Sequence, residues 1–301
     1  MALGLRKLLP NLMARTITGL GYISIILLGI FTENIGLLGV IFFLFSALGC
    51  FEFQTITRIN RLTLVLKILH SLMAGCIFYI VYRFVTLPGG DAAAHSRAAI
   101  IAALPYIAYI LFYVIGEMYR SRSNPVTEVA YAFFSHLYIA VPLALLMLLC
   151  SEEFAASWAG YGLPFEKTFW LLPVFVFVWL NDTGAYGVGT LIGKHKLWES
   201  ISPKKTIEGT VGGIAFSVIA GVVFYLLFPA VTTLAHWIIL AVLVSSFSTW
   251  GDLFESYLKR AVGVKDSGNI LPGHGGILDR IDSLLFAAIP AYIFINIIIM
   301  M

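Results

Sequence analysis

Residues 272–300 read PGHGGILDRIDSLLFAAIPAYIFINIIIM: Asp279, Arg280 and Asp282 stand directly before an apolar run that continues to Met300. A run of this length can cross a bilayer, because about 20 helical residues rising 1.5 Å each span the hydrocarbon core. Charge is scarce elsewhere, since 12% of the 301 residues are Asp, Glu, Lys or Arg while 60% are hydrophobic. Ordinary globular domains hold roughly 45 to 50% apolar residues. Runs of the same kind lie near 16–31, 35–51, 62–86, 98–119, 126–150, 168–192, 211–229, 233–250 and 281–300. The sequence therefore predicts an all-α, polytopic integral membrane protein with about nine transmembrane helices, the first of them the shortest. The runs and their connections leave little over. Residues 1–301 are expected to form a single membrane domain, with scaffold helices over 1–167 and the motif-bearing helices and loops over 168–301.

Basic residues set an expected orientation. Arg6, Lys7 and Arg15 precede the first run, and no small-residue cleavage site follows, so the run reads as an uncleaved helix. With nine spans and a cytoplasmic N-terminus, only Arg83, Arg97 and Lys167 of the 19 Lys and Arg residues fall outside. That bias is the one expected for loops that stay in the cytoplasm. It puts the protein in a cell (inner) membrane as a multi-pass chain, its C-terminus outside. Cys50, Cys76 and Cys150 lie in or beside apolar runs and share no metal-ligand spacing, so simple packing is expected.

Three polar stretches interrupt the apolar pattern. In WLNDTGAYGVGTLIGKHKL, Asp182 sits inside a hydrophobic run, where a carboxylate costs about 2.5 to 3.5 kcal/mol on insertion scales and marks a functional position by default. The nearby Gly184, Gly187, Gly189 and Gly193 suit close helix packing. ESISPKKTIEGTVGG reads as a short cytoplasmic loop with Lys204 and Lys205 between the hydroxyls of Ser202 and Thr206. It lacks the order of a Walker phosphate loop, so topological charge and phosphate binding both remain open readings. The longest stretch is STWGDLFESYLKRAVGVKDSGNILPGHGGILDRID. If the helix before it continues past Trp250, then Asp252, Glu255 and Lys259 share one face at spacings of three and four. Asp279 and Asp282 are likewise three apart at the start of the last helix. Carboxylates gathered this way suit Mg²⁺, a hard cation that takes oxygen ligands and bridges to substrate phosphates. The PGHGG turn can set backbone N–H groups and His274 around an anion.

Residues 256–282, SYLKRAVGVKDSGNILPGHGGILDRID, resemble the signature of the phosphatidate cytidylyltransferase family, also called CDP-diacylglycerol synthases. The resemblance rests on Ser256, Lys259, Arg260, Lys265, Asp266, Pro272, His274, Gly275, Gly276, Asp279, Arg280 and Asp282. The DTGAY and SPKKT-x-EG segments look similar too, so the likeness covers roughly residues 170 to 285. Two departures are Asn181, where a small residue is expected, and Ile207, where tryptophan is frequent; neither removes a charge.

The resemblance implies transfer of a cytidylyl group from CTP to phosphatidate at the bilayer surface, releasing pyrophosphate. Its expected cofactor is Mg²⁺, and it leaves open a second cation and a homodimer; no nucleic-acid partner is expected. Asp279 is the expected chief Mg²⁺ ligand, supported by Asp252 and Asp282, with Asp182 completing or orienting the site. Lys204, Lys205, Lys259 and Arg260 are expected to bind the phosphates of CTP or phosphatidate. Ser202, Thr206, Lys265, Gly275, Gly276 and Arg280 are expected to assist in substrate binding. His274 is expected to touch phosphate, because a phosphate nucleophile is already ionised near neutral pH. Two rivals have their own signatures. A CTP-dependent transferase or kinase acting on another lipid would share these motifs. A cation-coupled transporter would place its buried charges near the midplane between internal repeats rather than on one side.

Overall fold

The computed structural model describes residues 19–57, 64–86, 92–119, 125–158, 160–268, 270 and 275–300. Among them, eight helices are long and apolar enough to cross a membrane, which makes the fold that of a polytopic membrane protein. A shorter apolar helix, α1 (Gly19–Phe31), is the described part of the first expected span. Residues 1–18, with Arg6, Lys7 and Arg15, lie outside the described residues. Next come α2 (Ile35–Ile56), α3 (Leu64–Thr86) and α4 (Ala92–Tyr119). One span is composite: α5 (Pro125–Ser135) runs through a π-helical turn at His136–Ala140 into α6 (Val141–Leu148). After the short α7 (Glu152–Ala156) come α8 (Leu171–Ile192), α9 (Ile207–Leu227), α10 (Leu234–Ala261) and α11 (Leu278–Met300).

The segment expected as a plain loop between α8 and α9 instead contains a small antiparallel hairpin, β1 (Lys196–Trp198) with β2 (Ser202–Thr206). The strands leave Lys204 exposed and Thr206 buried. The hairpin ends where Thr206 caps α9, its Oγ1 accepting from the Gly209 N–H at 3.1 Å. Helix α10 runs well past the apolar stretch ending at Trp250. In its polar extension Lys259 pairs with Glu255 one turn away, and Asp252 pairs with Lys205 of β2.

In lipid, helices gain little from burying apolar surface against one another, so association depends on close packing and interhelical hydrogen bonds. The contact between α8 and α9 shows the first. A Cβ added at Gly189 would lie 3.5 Å from Gly209 Cα, and one at Gly213 would lie 2.6 Å from the Asn181 carbonyl oxygen. The same Asn181 supplies the second, its amide donating to Thr249 Oγ1 on α10 at 3.2 Å. Its amide function thus ties two helices where a small residue would only fill space. Farther from the polar ends, Trp170 and Trp237 stack with centroids 5.4 Å apart, and Phe224 stacks on Trp237 at 5.2 Å. The outward faces of α3 and α4 carry exposed Val65, Ile101, Phe112 and Met118, as a lipid-facing surface requires.

Candidate active site

The C-terminal halves of α8 and α10 and the N-terminal ends of α9 and α11 lie on one side of the bundle. They enclose a cavity of about 430 Å³ together with β2. The topology forces this arrangement, because successive antiparallel helices return every second terminus to the same side. Helix α8 contributes Asp182, β2 contributes Lys204, Lys205 and Thr206, α10 contributes Asp252 and Lys259, and α11 contributes Asp279, Arg280 and Asp282. Asp266, from the connection between α10 and α11, lines it as well. Asp182 and Asp282, 100 positions apart in the chain, therefore share one chamber. The first turns of α9 and α11 open towards it, the Gly209 N–H capped by Thr206 and those of Ile277 and Leu278 held by Glu52.

Charge in the cavity is strongly paired. Lys205 Nζ lies 2.8 Å from Asp252 Oδ2 and also donates to the Thr249 carbonyl at 3.4 Å. Ser256 Oγ donates to the other Asp252 oxygen at 3.3 Å. Lys259 is buried between two carboxylates, Glu255 and Asp279, each at 2.6 Å. Asp279 has further partners: its Oδ2 accepts from the N–H groups of Ser267 at 3.0 Å and Gly276 at 2.8 Å. Gly275 beneath it has a φ of 81°, and a Cβ there would lie 2.6 Å from Asp279 Oδ2, so only glycine fits.

Asp279 is the residue expected as the chief Mg²⁺ ligand. Both of its oxygens are engaged by an ammonium and backbone donors, which suits a carboxylate that holds a loop and a lysine in place. Asp182 is open to the cavity, and Asp252 and Asp282 line it from two other helices. Among the described residues, no three carboxylates, histidines or cysteines form a ready metal cage. Mg²⁺ does not need one, since it is held by one or two carboxylates plus water and substrate phosphates. One or two of the carboxylates Asp182, Asp252 and Asp282 suffice for that cation, Asp252 being already paired with Lys205 and Ser256.

Several expected residues stand elsewhere. Arg260 is exposed and donates from Nη1 to the Val264 carbonyl at 2.9 Å, closing the end of α10. Ser202 is half-buried in β2, and Lys265 is exposed on the connection, neither lining the cavity. Gly276 donates its N–H to Asp279 and packs against Glu52. His274 lies outside the described residues. Two acidic residues missing from the expected site are central to it: Glu255, the second partner of Lys259, and Glu52 on α2, which accepts three hydrogen bonds, from Ser267, Ile277 and Leu278. The spacing to Lys259 pointed to Glu255, whereas for Glu52 the signal was an isolated carboxylate at the edge of an apolar run.

Together these features define a polytopic membrane protein with a chamber on one side of its helix bundle, lined by carboxylates and basic side chains. The chain belongs to the Cytidylyltransferase family, whose model matches residues 13–298. It is 52% identical over 121 residues to the phosphatidate cytidylyltransferase of Staphylococcus saprophyticus subsp. saprophyticus, covering 40% of this chain and 46% of that protein. The namesake from Staphylococcus haemolyticus is 56% identical over 119 residues, with 39% and 45% covered. That of Staphylococcus aureus strain COL is 49% identical over 140 residues, with 44% and 53% covered. The chain thus spans about half the length of the curated relatives it matches.

Proposed function

We propose that this protein transfers the cytidylyl group of CTP to phosphatidate, forming CDP-diacylglycerol and releasing pyrophosphate. The observation that carries this reading is the single cavity in which Asp182, Asp252 and Asp282 face Lys204, Lys205, Lys259 and Arg280 at the ends of membrane helices. A chamber so placed can meet a soluble nucleotide and a lipid headgroup together.

The reaction needs no protein nucleophile. A phosphate oxygen of phosphatidate forms a bond to the α-phosphorus of CTP, and the bond from that phosphorus to the bridging oxygen breaks. The electron pair leaves with pyrophosphate. The protein must bring two anions together and offset the charge that develops on the leaving group. Lys204, exposed at the rim, and Arg280, exposed on α11, are placed to receive phosphates. Lys205 gives the cavity a second ammonium next to Asp252. Lys259 is fixed by Glu255 and Asp279, so its position does not depend on bound substrate. One or two of Asp182, Asp252 and Asp282 would hold Mg²⁺, which when bound neutralises phosphate charge and polarises the phosphorus centre.

The cavity side is assigned to the cytoplasm, where CTP is made. The charge distribution supports this, because Lys194, just before the hairpin, and Lys196, Lys204 and Lys205, on it, cluster at that side. The test is purified protein in detergent with radiolabelled CTP, Mg²⁺ and phosphatidate, alongside a polyprenyl phosphate and an ether-linked phosphatidate analogue. Label should enter an organic-soluble product with phosphatidate. Label appearing only with another acceptor, or with none, would overturn the assignment.

A further inference from the structure

Glu52 lies on α2, far in sequence from the motifs of the cavity, yet it is 2% exposed and surrounded by them. Its Oε1 accepts from the Ile277 N–H at 3.0 Å. Its Oε2 accepts from the Leu278 N–H at 2.8 Å and from Ser267 Oγ at 3.1 Å. One carboxylate therefore pins both ends of the 268–276 segment: Ser267 before it, and the first backbone donors of α11 after it. Two glycines adjoin this contact. A Cβ at Gly268 would lie 2.5 Å from Glu52 Oε1, and one at Gly276 would lie 2.6 Å from its Cδ.

Asp279 grips the same two points from the other side, through the N–H groups of Ser267 and Gly276, and it also holds Lys259 at 2.6 Å. The chain of contact runs from Glu52 through the loop base to Asp279 and from there to the Lys259 ammonium at the cavity. A negative charge at the start of α11 is favourable in its own right, because the first-turn N–H groups have no helical partners. Helix-end capping alone, however, would not require the further bond to Ser267.

We infer that Glu52 is a positioning residue for the cytidylyl transfer, clamping the loop base so that Asp279 and Lys259 meet the nucleotide in fixed register. This rests on the proposed transfer reaction. It also gives the N-terminal helices, expected as scaffold, a direct hold on the site.

Glu52→Gln is the sharpest perturbation. The amide keeps one acceptor oxygen and turns an NH₂ towards a donor, so either Ile277 or Leu278 loses its partner. For a residue that orients groups at a site, kcat should fall about 10- to 100-fold. KM for CTP should move less than about threefold, because the lysines of β2 are untouched. The melting point in detergent should stay near that of wild type. Trypsin should cut after Lys265 faster in Glu52→Gln, since release of the clamp lets the loop open locally. Ser267→Ala removes only the hydroxyl donor and should lower kcat about fivefold, roughly one hydrogen bond's worth. A folded Glu52→Gln protein with wild-type kcat overturns the inference. If Glu52→Gln does not fold, Ser267→Ala decides, and wild-type kcat in that variant overturns it. Wild-type protein that fails to transfer from CTP to phosphatidate refutes the proposed reaction instead. The clamp then stands or falls on the tryptic rate at Lys265, an unchanged rate overturning it.

Discussion

Lys259→Met separates the structural and chemical roles of the most enclosed charge in the cavity. The ammonium lies 2.6 Å from Glu255 Oε2 and 2.6 Å from Asp279 Oδ1, with side-chain exposures of 10%, 0% and 7%. At an effective dielectric of about 20, each contact is worth roughly 6 kcal/mol of gross attraction. Much of that is offset by the cost of desolvating all three groups, so the gross figure is not the loss to expect. Removing one partner while leaving buried carboxylates behind costs about 3–5 kcal/mol. Lys259→Met should therefore accumulate poorly or unfold at markedly lower temperature or denaturant. The two stranded carboxylates are not equal. Asp279 keeps the N–H groups of Ser267 and Gly276, whereas Glu255 keeps no backbone donor and faces the Asp282 carboxyl. Glu255→Gln added to Lys259→Met should thus recover most of the lost stability, since a neutral amide replaces the isolated charge. It should not recover turnover, because the cavity still lacks its ammonium. Unfolding in detergent, followed by fluorescence and read beside CTP turnover, checks both halves. A single variant as stable as wild type, or a double variant no more stable than the single, would refute the reasoning.

Lys204→Ala/Lys205→Ala should raise KM for CTP at least about tenfold, each charge-assisted contact being worth about 1.5–3 kcal/mol; normal kinetics at limiting CTP would return the hairpin to a purely topological role. Gly213→Ala should destabilise by about 1–3 kcal/mol, because its Cβ would meet the Asn181 carbonyl at 2.6 Å. Gly187→Ala, with nothing within 4 Å of its Cβ, should be near neutral, and equal melting points for the two would contradict the close crossing of α8 and α9. Asp279→Asn should abolish nearly all turnover and also loosen the loop base, so a variant that is inactive but as resistant to trypsin as wild type would argue against its structural role. A cysteine at Lys204 should react with impermeant maleimide only after the membrane is opened, and one at Thr232 in intact cells; the reverse pattern would invert the proposed orientation.

The helices were legible because a bilayer imposes a length and an apolar composition that few other environments demand, and eight expected runs correspond to helices in the described residues. What hydropathy could not locate were the ends. The 233–250 run stops at Trp250 in composition, but α10 continues to Ala261, and only the three- and four-residue spacing of Asp252, Glu255 and Lys259 signalled it. The hairpin was missed because SPKKT has no apolar alternation to mark a strand; its pairing is set by the chain returning from β1. The chemistry of the site was legible as residue types, since acidic and basic groups at membrane helix ends are costly without partners. Which carboxylate does what was not, because that depends on partners brought by other helices. Asp279 reads from sequence as an available ligand, and only the fold shows Lys259, Ser267 and Gly276 already holding it. Glu52 is the sharpest case. The rule that singles out Asp182 applies to any carboxylate in a membrane helix, but Glu52 falls one residue past the apolar run at 35–51. In the structure α2 continues to Ile56, and the carboxylate is buried against donors at the start of α11 that no local pattern could have paired with it.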